Sequence, residues 1–324
     1  MDQGKSVDFL RALETFVAVA EQRGMTAAAH SLGITQSAVS QQLRQLEAEL
    51  GRDLVDRTVR PIALTSVGMV LHRQAPQLLS DAANVRALVK DAGWSVMPNL
   101  RIAVIGSLAG TLVPPLIDAL TRQLNIERVS VSRGGATTSE NALLDRDADM
   151  LITSDSLFEV AGLDRFPLFR EPLLLALPRR GRKLKKSMSL EELSRDGSFI
   201  RYPRHTQMGQ AIDSHLNRMR VPLAGRLEFD SPEDIMSLIA AGHGWAITSP
   251  SHVLQGMRVN QRVQAVPFPG PGLQRTVSLI VRSDELGQVP AQVHKICAGV
   301  IEQEFVPPLR DIIPWIGDEF EVLG

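Results

Sequence analysis

The sequence predicts an α/β protein of several domains: a helical N-terminal part ending in a small hairpin, one long connecting helix, and a C-terminal region of two α/β lobes. Three observations carry that prediction. The 324 residues exceed what one ordinary core serves and point to roughly two or three domains. Up to Leu64 the apolar residues recur at helical spacing, with little strand character before the end. From Leu100 onward strand-like runs alternate with helical patterns, which calls for a parallel α/β sheet. An apolar content of 44% with 22% charged residues is that of a globular chain and argues against disorder. No apolar run approaches the roughly 20 residues a bilayer needs, so no membrane partner is expected. The opening residues MDQGKSVDFL lack the basic-then-apolar order of an export signal, and Cys297 is the single cysteine, so the expected location is the cytoplasm.

Taken in order, Phe9, Leu13, Phe16, Val17 and Ala20 mark a first helix. A second is expected over 25–32, with Gly24 as a tolerable N-cap and Gly33 supplying the left-handed turn that ends it. Thr35 is placed to cap a third, 36–50, whose Val39, Leu43, Leu46 and Leu50 form an inward stripe while Gln36, Ser37, Ser40, Gln41 and Arg44 face outward. Gly51 closes that helix, and LVDRTVRPIALT reads as a hairpin, with Leu54 and Val55 before a basic turn and Ile62, Ala63 and Leu64 after it. Thr65 or Ser66 can cap a long helix toward Ala92, in which Leu71, Ala75, Leu78, Ala82, Val85 and Val89 make a heptad seam for pairing with another helix. Pro76 should kink or split it. The expected boundaries are 1–65 for the first domain, 66–92 for the linker helix, 93–99 for a hinge and 100–306 for the lobes. Lobe I takes about 100–168 and 269–306 and lobe II about 169–268, the chain crossing near Phe169 and Phe268; the tail 307–324, with one basic and four acidic residues, has no assignment.

Short helix, glycine turn, capped helix and basic hairpin together form a winged helix-turn-helix. A helix laid in the major groove needs short polar side chains near its start and a longer basic one further along. Thr35, Gln36, Ser37, Ser40, Gln41 and Arg44 supply these, and Arg57 and Arg60 on the wing suit the adjoining minor groove. The competing view is an ordinary solvated helix face; the order of parts counts against it. The net charge is −1, and the first 65 residues hold seven Lys/Arg against eight Asp/Glu, so any grip on DNA depends on where charges point.

The stretch LETFVAVAEQRGMTAAAHSLGITQSAVSQQLRQLEAELGRDLVDRTVRPIALTSVG resembles the DNA-binding region of LysR-type transcriptional regulators, across nearly all of residues 8–68. The resemblance implies that Ala28 and Ala29 pack under the recognition helix, that residues 35–40 begin it, and that Leu46, Glu47, Leu50 and Gly51 end it. Arg57, Arg60, Leu64 and Thr65 would mark the wing and the start of the linker helix. Gly24 departs from the family's usual serine cap, at a cost of only a few tenths of a kcal/mol. The partners implied are double-stranded promoter DNA bearing an interrupted palindrome, RNA polymerase, and further copies of the chain in a homodimer or homotetramer.

Beyond Leu100 the order of elements is similar to the family's effector-binding domain, a two-lobed fold akin to periplasmic binding proteins. Such a cleft holds a small molecule through helix N-termini and hydroxyls on the loops after strands. Ser107 and Thr111 are expected at the first such corner, in a helix containing Pro114 and Pro115, and Arg133, Thr137 and Thr138 at a second. Arg201, Tyr202 and His205, with Arg204, are expected in the opposite jaw, and the cations favour an anionic effector, unless they are solvated or paired with acids. The basic run 179–186 reads as a solvated loop. The histidines show no ligand spacing, and no nucleophile with a base or cofactor fingerprint stands out, so neither metal, cofactor nor enzymatic activity is expected. Two alternatives are a two-lobed binding protein or enzyme, and a regulator that binds DNA without a ligand.

Overall fold

The computed structural model describes residues 3–90, 99–124, 126, 128–134, 141–179, 189–196, 198–223, 225–257 and 262–324. The chain divides into two compact units, Met1–Lys90 and Asp91–Gly324.

In the first unit α1 (Gln3–Gln22), α2 (Met25–Leu32) and α3 (Gln36–Leu50) pack around Leu13, Phe16, Val19, Val39, Leu43 and Leu46. Ala28 and Ala29 are buried, so α2 can lie close beneath α3. Gly33 (φ +64°) and Gly51 (φ +66°) end α2 and α3 in the left-handed conformation that a side chain disfavours. The Thr35 hydroxyl accepts a hydrogen bond from the Ala38 amide at 3.2 Å and caps α3 as expected. The hairpin is β1 (Val55–Asp56) against β2 (Ala63–Leu64), antiparallel, with Leu54 buried at its base.

Next comes α4 (Ser66–Lys90), and the Thr65 hydroxyl accepts from the Gly68 amide at its start. Pro76 lies inside this one continuous helix, so of the expected kink or split the split does not occur: the ring removes a single N–H, and the turns on either side keep theirs. The heptad seam divides. Ala75 is buried against the unit's own core and Leu71 packs on it, whereas Leu78, Val85 and Val89 are 47%, 58% and 81% exposed. Residues 91 and 92 of the expected linker and 93–98 of the expected hinge lie outside the described residues.

The second unit runs β3 (Asn99–Ile105), α5 (Gly106–Ala109), α6 (Val113–Gln123), β4 (Arg128–Gly134), β5 (Met150–Thr153), β6 (Leu163–Pro172) and β7 (Leu174–Pro178). It continues with α7 (Leu190–Asp196), β8 (Ser198–Arg201), α8 (Gln207–Met219), β9 (Gly225–Glu228), α9 (Pro232–Ala240), β10 (Gly244–Thr248) and α10 (Pro250–Met257). Last are β11 (Val263–Pro267), β12 (Gln274–Arg282), α11 (Val289–Val300), a π-helical turn (Ile301–Phe305), α12 (Val306–Ile312) and β13 (Glu321–Val322).

One sheet has the order β13-β6-β12-β5-β3-β4 and the other β11-β7-β10-β8-β9. The parallel sheet expected from the alternation is found only in part. β3 is parallel to β4 and β5, and β8 to β9 and β10, but β12 is antiparallel to β5 and β6, and β7 to β10 and β11. The antiparallel pairs arise where the chain crosses between sheets. It leaves the first at Leu173, between β6 and β7, rather than near Phe169, which lies inside β6 opposite Val277. The return begins at Phe268, just after β11. Another correction concerns Pro114 and Pro115: the helix expected there is two, α5 and α6, and the prolines occupy the first turn of α6, where a missing N–H costs nothing.

The tail is integral to this unit. Ile313, Ile316 and Phe320 are buried, and the Phe320 ring stacks on Phe169 at 5.0 Å. β13 extends the first sheet by pairing with β6. Among the described residues no helix is long and apolar enough to cross a membrane.

Candidate functional site

The outward face of α3 is formed as its spacing requires. Gln36, Ser37, Gln41 and Arg44 are exposed and Ser40 is half-buried. Ser37 and Thr35 share a hydrogen bond of 2.9 Å at the helix start, and Arg44 Nε donates to the Ser40 carbonyl at 3.1 Å one turn back along the helix. Arg60 is exposed on the wing. Arg57 has a second attachment: its guanidinium donates to the carboxylate of Glu47, a buried residue of α3. The Glu47 Oε1 also accepts the Leu54 and Val55 amides at 3.0 and 3.4 Å. Glu47 therefore fixes the wing to the helix, a role that its inward position among leucines signals in the sequence.

In the second unit six of the eight expected effector residues are among the described residues. Ser107 is buried in α5, just after β3, and Thr111 holds a buried hydroxyl with no hydrogen-bond partner among the described residues. Arg133, on β4, forms an ion pair of 3.4 Å with Glu233 at the start of α9. Glu233 also accepts from Gln255 at 2.6 Å, and Gln255 in turn accepts the Gly110 amide at 3.0 Å. Burial alone would raise the Glu233 carboxyl, but hydrogen bonds from Gln255 and Ser231 and the charge of Arg133 hold it below the usual range. Arg201 is tied to Asp213 at 2.6 Å and to Glu228 at 3.5 Å, and Arg204 reaches Asp213 at 3.3 Å. Each of these arginines faces a carboxylate, the paired arrangement that the sequence left open. Tyr202 is buried, its hydroxyl 2.7 Å from that of Thr248, and burial pushes its phenol up. His205 is exposed in the turn before α8. Thr137 and Thr138 lie outside the described residues, as does the basic run from 180 onward.

The sequence reading missed the polar cluster where the crossing strands meet. Glu171 near the end of β6 is fully buried opposite Arg275 of β12, whose Nε donates to it at 2.7 Å. The Ser251 amide and hydroxyl, at the start of α10, donate to the same carboxylate at 2.9 and 2.8 Å. Arg275 Nη2 reaches the hydroxyls of Ser251 at 2.7 Å and Ser107 at 3.3 Å and lies 3.2 Å from His252 Nδ1, while its Nη1 is 3.5 Å from Ser154 Oγ. Ser154 also bonds Gln207, the first residue of α8, at 3.0 Å. Burial first, and then the charge of Arg275, hold His252 well below the usual imidazole range, so it stands neutral beside the guanidinium. The available signal was charge inside apolar strands, Glu171 ahead of PLLLAL and Arg275 ahead of TVSLIV. Among the described residues no three His, Cys, Asp or Glu side chains are grouped to hold a metal ion.

Two family profiles match this chain. One, a bacterial regulatory helix-turn-helix protein of the lysR family, spans residues 10–69; the other, the LysR substrate binding domain, spans 95–294. A hydrogen peroxide-inducible genes activator of Dickeya chrysanthemi is 28% identical over 84% of this chain and 89% of its own length. The HTH-type transcriptional regulator ShiR of Corynebacterium glutamicum is 30% identical over 74% of this chain and 82% of its own. In fold the chain is similar to a Corynebacterium glutamicum OxyR C206 mutant, with a TM-score of 0.64 at 21% identity over 93% of this chain and 95% of that one. Full-length CbnR in complex with its target DNA gives 0.62 at 22% identity, over 89% and 98%. The helix-turn-helix and the two-lobed domain thus occur together in the order those profiles describe, and the chain belongs to the LysR family of DNA-binding transcriptional regulators with an effector-binding domain.

Proposed function

We propose that this protein reads promoter DNA as a homo-oligomer, through Thr35, Gln36, Ser37, Ser40, Gln41 and Arg44 on α3 and Arg60 on the wing, with Arg57 holding that wing in place. The observation that carries this reading is a polar face of α3 over an underside of Val39, Leu43 and Leu46, with the buried Glu47 joining it to a hairpin. The exposed Leu78, Val85 and Val89 of α4 support pairing of two chains. Two-fold pairing sets recognition helices about one DNA turn or a multiple apart, so the operator is an interrupted palindrome. We assign residues 1–65 to DNA binding, 66–92 to the linker, 93–99 to a hinge and 100–306 to the effector domain, within a cytoplasmic regulator that is not an enzyme. Footprinting of the full chain on its own promoter region at moderate salt tests the reading. Two protected half-sites on one face of the duplex are expected, and binding that ignores sequence would end the proposal.

The effector site we infer lies at the polar cluster of Ser107, Ser154, Gln207, Ser251 and Arg275, where the strands that cross between the two sheets meet. A small molecule there would shift the population of cleft conformations and so the spacing of paired recognition helices on RNA polymerase promoters. Several relatives are named for induction by hydrogen peroxide. In this chain the lone Cys297 is buried and its thiol is pushed up to about 12, which leaves little thiolate to react. Cys297→Ser should therefore leave promoter occupancy and its regulation unchanged in cells with or without peroxide; a variant blind to an inducer that wild type obeys would overturn that inference.

A further inference from the structure

We propose that the second unit carries a binding site for a short peptide with free, charged ends, in the groove between α6 and α11. The two helices pack together, and along their junction lies a groove of about 880 Å³, within the range of small-molecule sites. It shares no residue with the polar cluster around Arg275. Its lining follows helical spacing: Pro114, Asp118 and Arg122 on α6, and Gln292, Gly299 and Gln303 on α11 and the π-helical turn that continues it. At the rise of a helix those positions make the groove about 12–16 Å long. That is the span of about four residues of extended chain.

The polar groups of this groove are unused. Gln292 holds a buried Oε1 with no hydrogen-bond partner among the described residues, a costly arrangement that a ligand N–H would relieve. Asp118 and Glu304 line the exposed rim with negative charge and Arg122 and Lys295 with positive, and among the described residues none of the four forms an ion pair. Arg122 Nε donates to the Asp118 carbonyl at 2.9 Å, not to its carboxylate. The balance of signs selects the occupant. An anion that meets Arg122 and Lys295 also meets Asp118 and Glu304, and a cation faces the converse, whereas a molecule bearing both charges pairs with both. Ala119, Ile296 and Val300, all buried, give the groove an aliphatic floor. Among the described residues no aromatic ring lines it, so a flat heterocycle has nothing to stack on. A peptide supplies one charge at each end and an N–H for Gln292 between them. Gly299 keeps the groove open, since a Cβ there would meet nothing within 4 Å.

The test is calorimetric titration of the full chain with tetra-alanine, and with the same peptide acetylated at its N-terminus and amidated at its C-terminus. The free peptide should bind saturably with a Kd of about 1 mM or tighter, and the blocked one at least about tenfold more weakly. Gly299→Leu fills the open groove while replacing a helix glycine by a better helix former, so Tm should hold or rise and binding should vanish. Lys295→Gln, on the exposed rim, should weaken the free peptide severalfold and leave the blocked one unchanged. No saturable binding of the free peptide, equal affinity for the blocked one, or full binding by a folded Gly299→Leu would overturn the proposal. Sedimentation of Gly299→Leu addresses the competing occupant. An unchanged association state is expected, and a fall would mean that a second copy of the chain fills the groove, which overturns the proposal as well.

Discussion

Glu47 is the residue at which the recognition helix and the wing meet. Three groups converge on its carboxylate, the Leu54 and Val55 amides and the Arg57 guanidinium, and it is buried. Glu47→Gln should cost about 1–3 kcal/mol of stability in the first unit, measured by urea unfolding, and loosen operator binding by freeing the wing. Gln41→Ala should do the reverse, leaving stability within about 0.5 kcal/mol and weakening specific DNA binding by about 1–3 kcal/mol in a titration. Equal effects of the two on stability would remove the distinction between holding and reading. His252 gives a pH signature. Its folded pKa lies well below the unfolded 6.5, so below that pH the unfolded chain binds the extra proton and folding is disfavoured. Stability is full above 6.5 and declines as pH falls toward the folded value. His252→Asn should flatten that decline between 6.5 and about 5, and a variant with wild-type slope would exclude His252 as its source. Thr35, Gly33 and Gly51 were legible from sequence because caps and turns are local. Glu171 and Arg275 were not, since their meaning lies in facing each other 104 residues apart.

Among the elements, α4 shows how a correct pattern can contain two uses. The heptad seam is continuous in sequence, yet Ala75 and Leu71 pack on the unit's own core while Leu78, Val85 and Val89 stand exposed. Periodicity finds an apolar face but does not say which neighbour covers it. Glu substitutions at Val85 and Val89 together should therefore lower the association state in sedimentation without lowering the stability of the first unit, because neither side chain contributes to its core. Unchanged association would show that the exposed part of the seam does not pair chains. β6 was illegible for a different reason. Its sequence LDRFPLFREP carries two prolines and alternates poorly, and it becomes a ten-residue strand through pairing with β12 on one side and β13 on the other. Tertiary pairing outweighs local propensity there.

At the scale of the whole molecule, the order of parts was readable because the long helices and most strands announce themselves by period, while the short helices α7, α10 and α12 do not. The joins were not. The chain crosses between the two sheets of the second unit at Leu173 and returns after Phe268, and the tail then comes back to the first sheet. That return makes the last residues structural, although their acidity suggests a solvated appendage. Phe320 stacks on Phe169 at 5.0 Å and lies 5.9 Å from Phe305, while β13 covers an edge of β6 that would otherwise present unpaired amides. Phe320→Ala removes the ring at the centre of this contact and should cost about 3–5 kcal/mol, seen as a lower midpoint for the second unit. A chain ending at residue 312 loses Ile313 and Ile316 as well, both fully buried, and exposes the β6 edge. It should aggregate on expression at 37 °C while the isolated first unit, whose core includes none of these residues, stays folded. A truncated chain that remains monodisperse with an unchanged melting midpoint would show that the tail merely rests on the sheet.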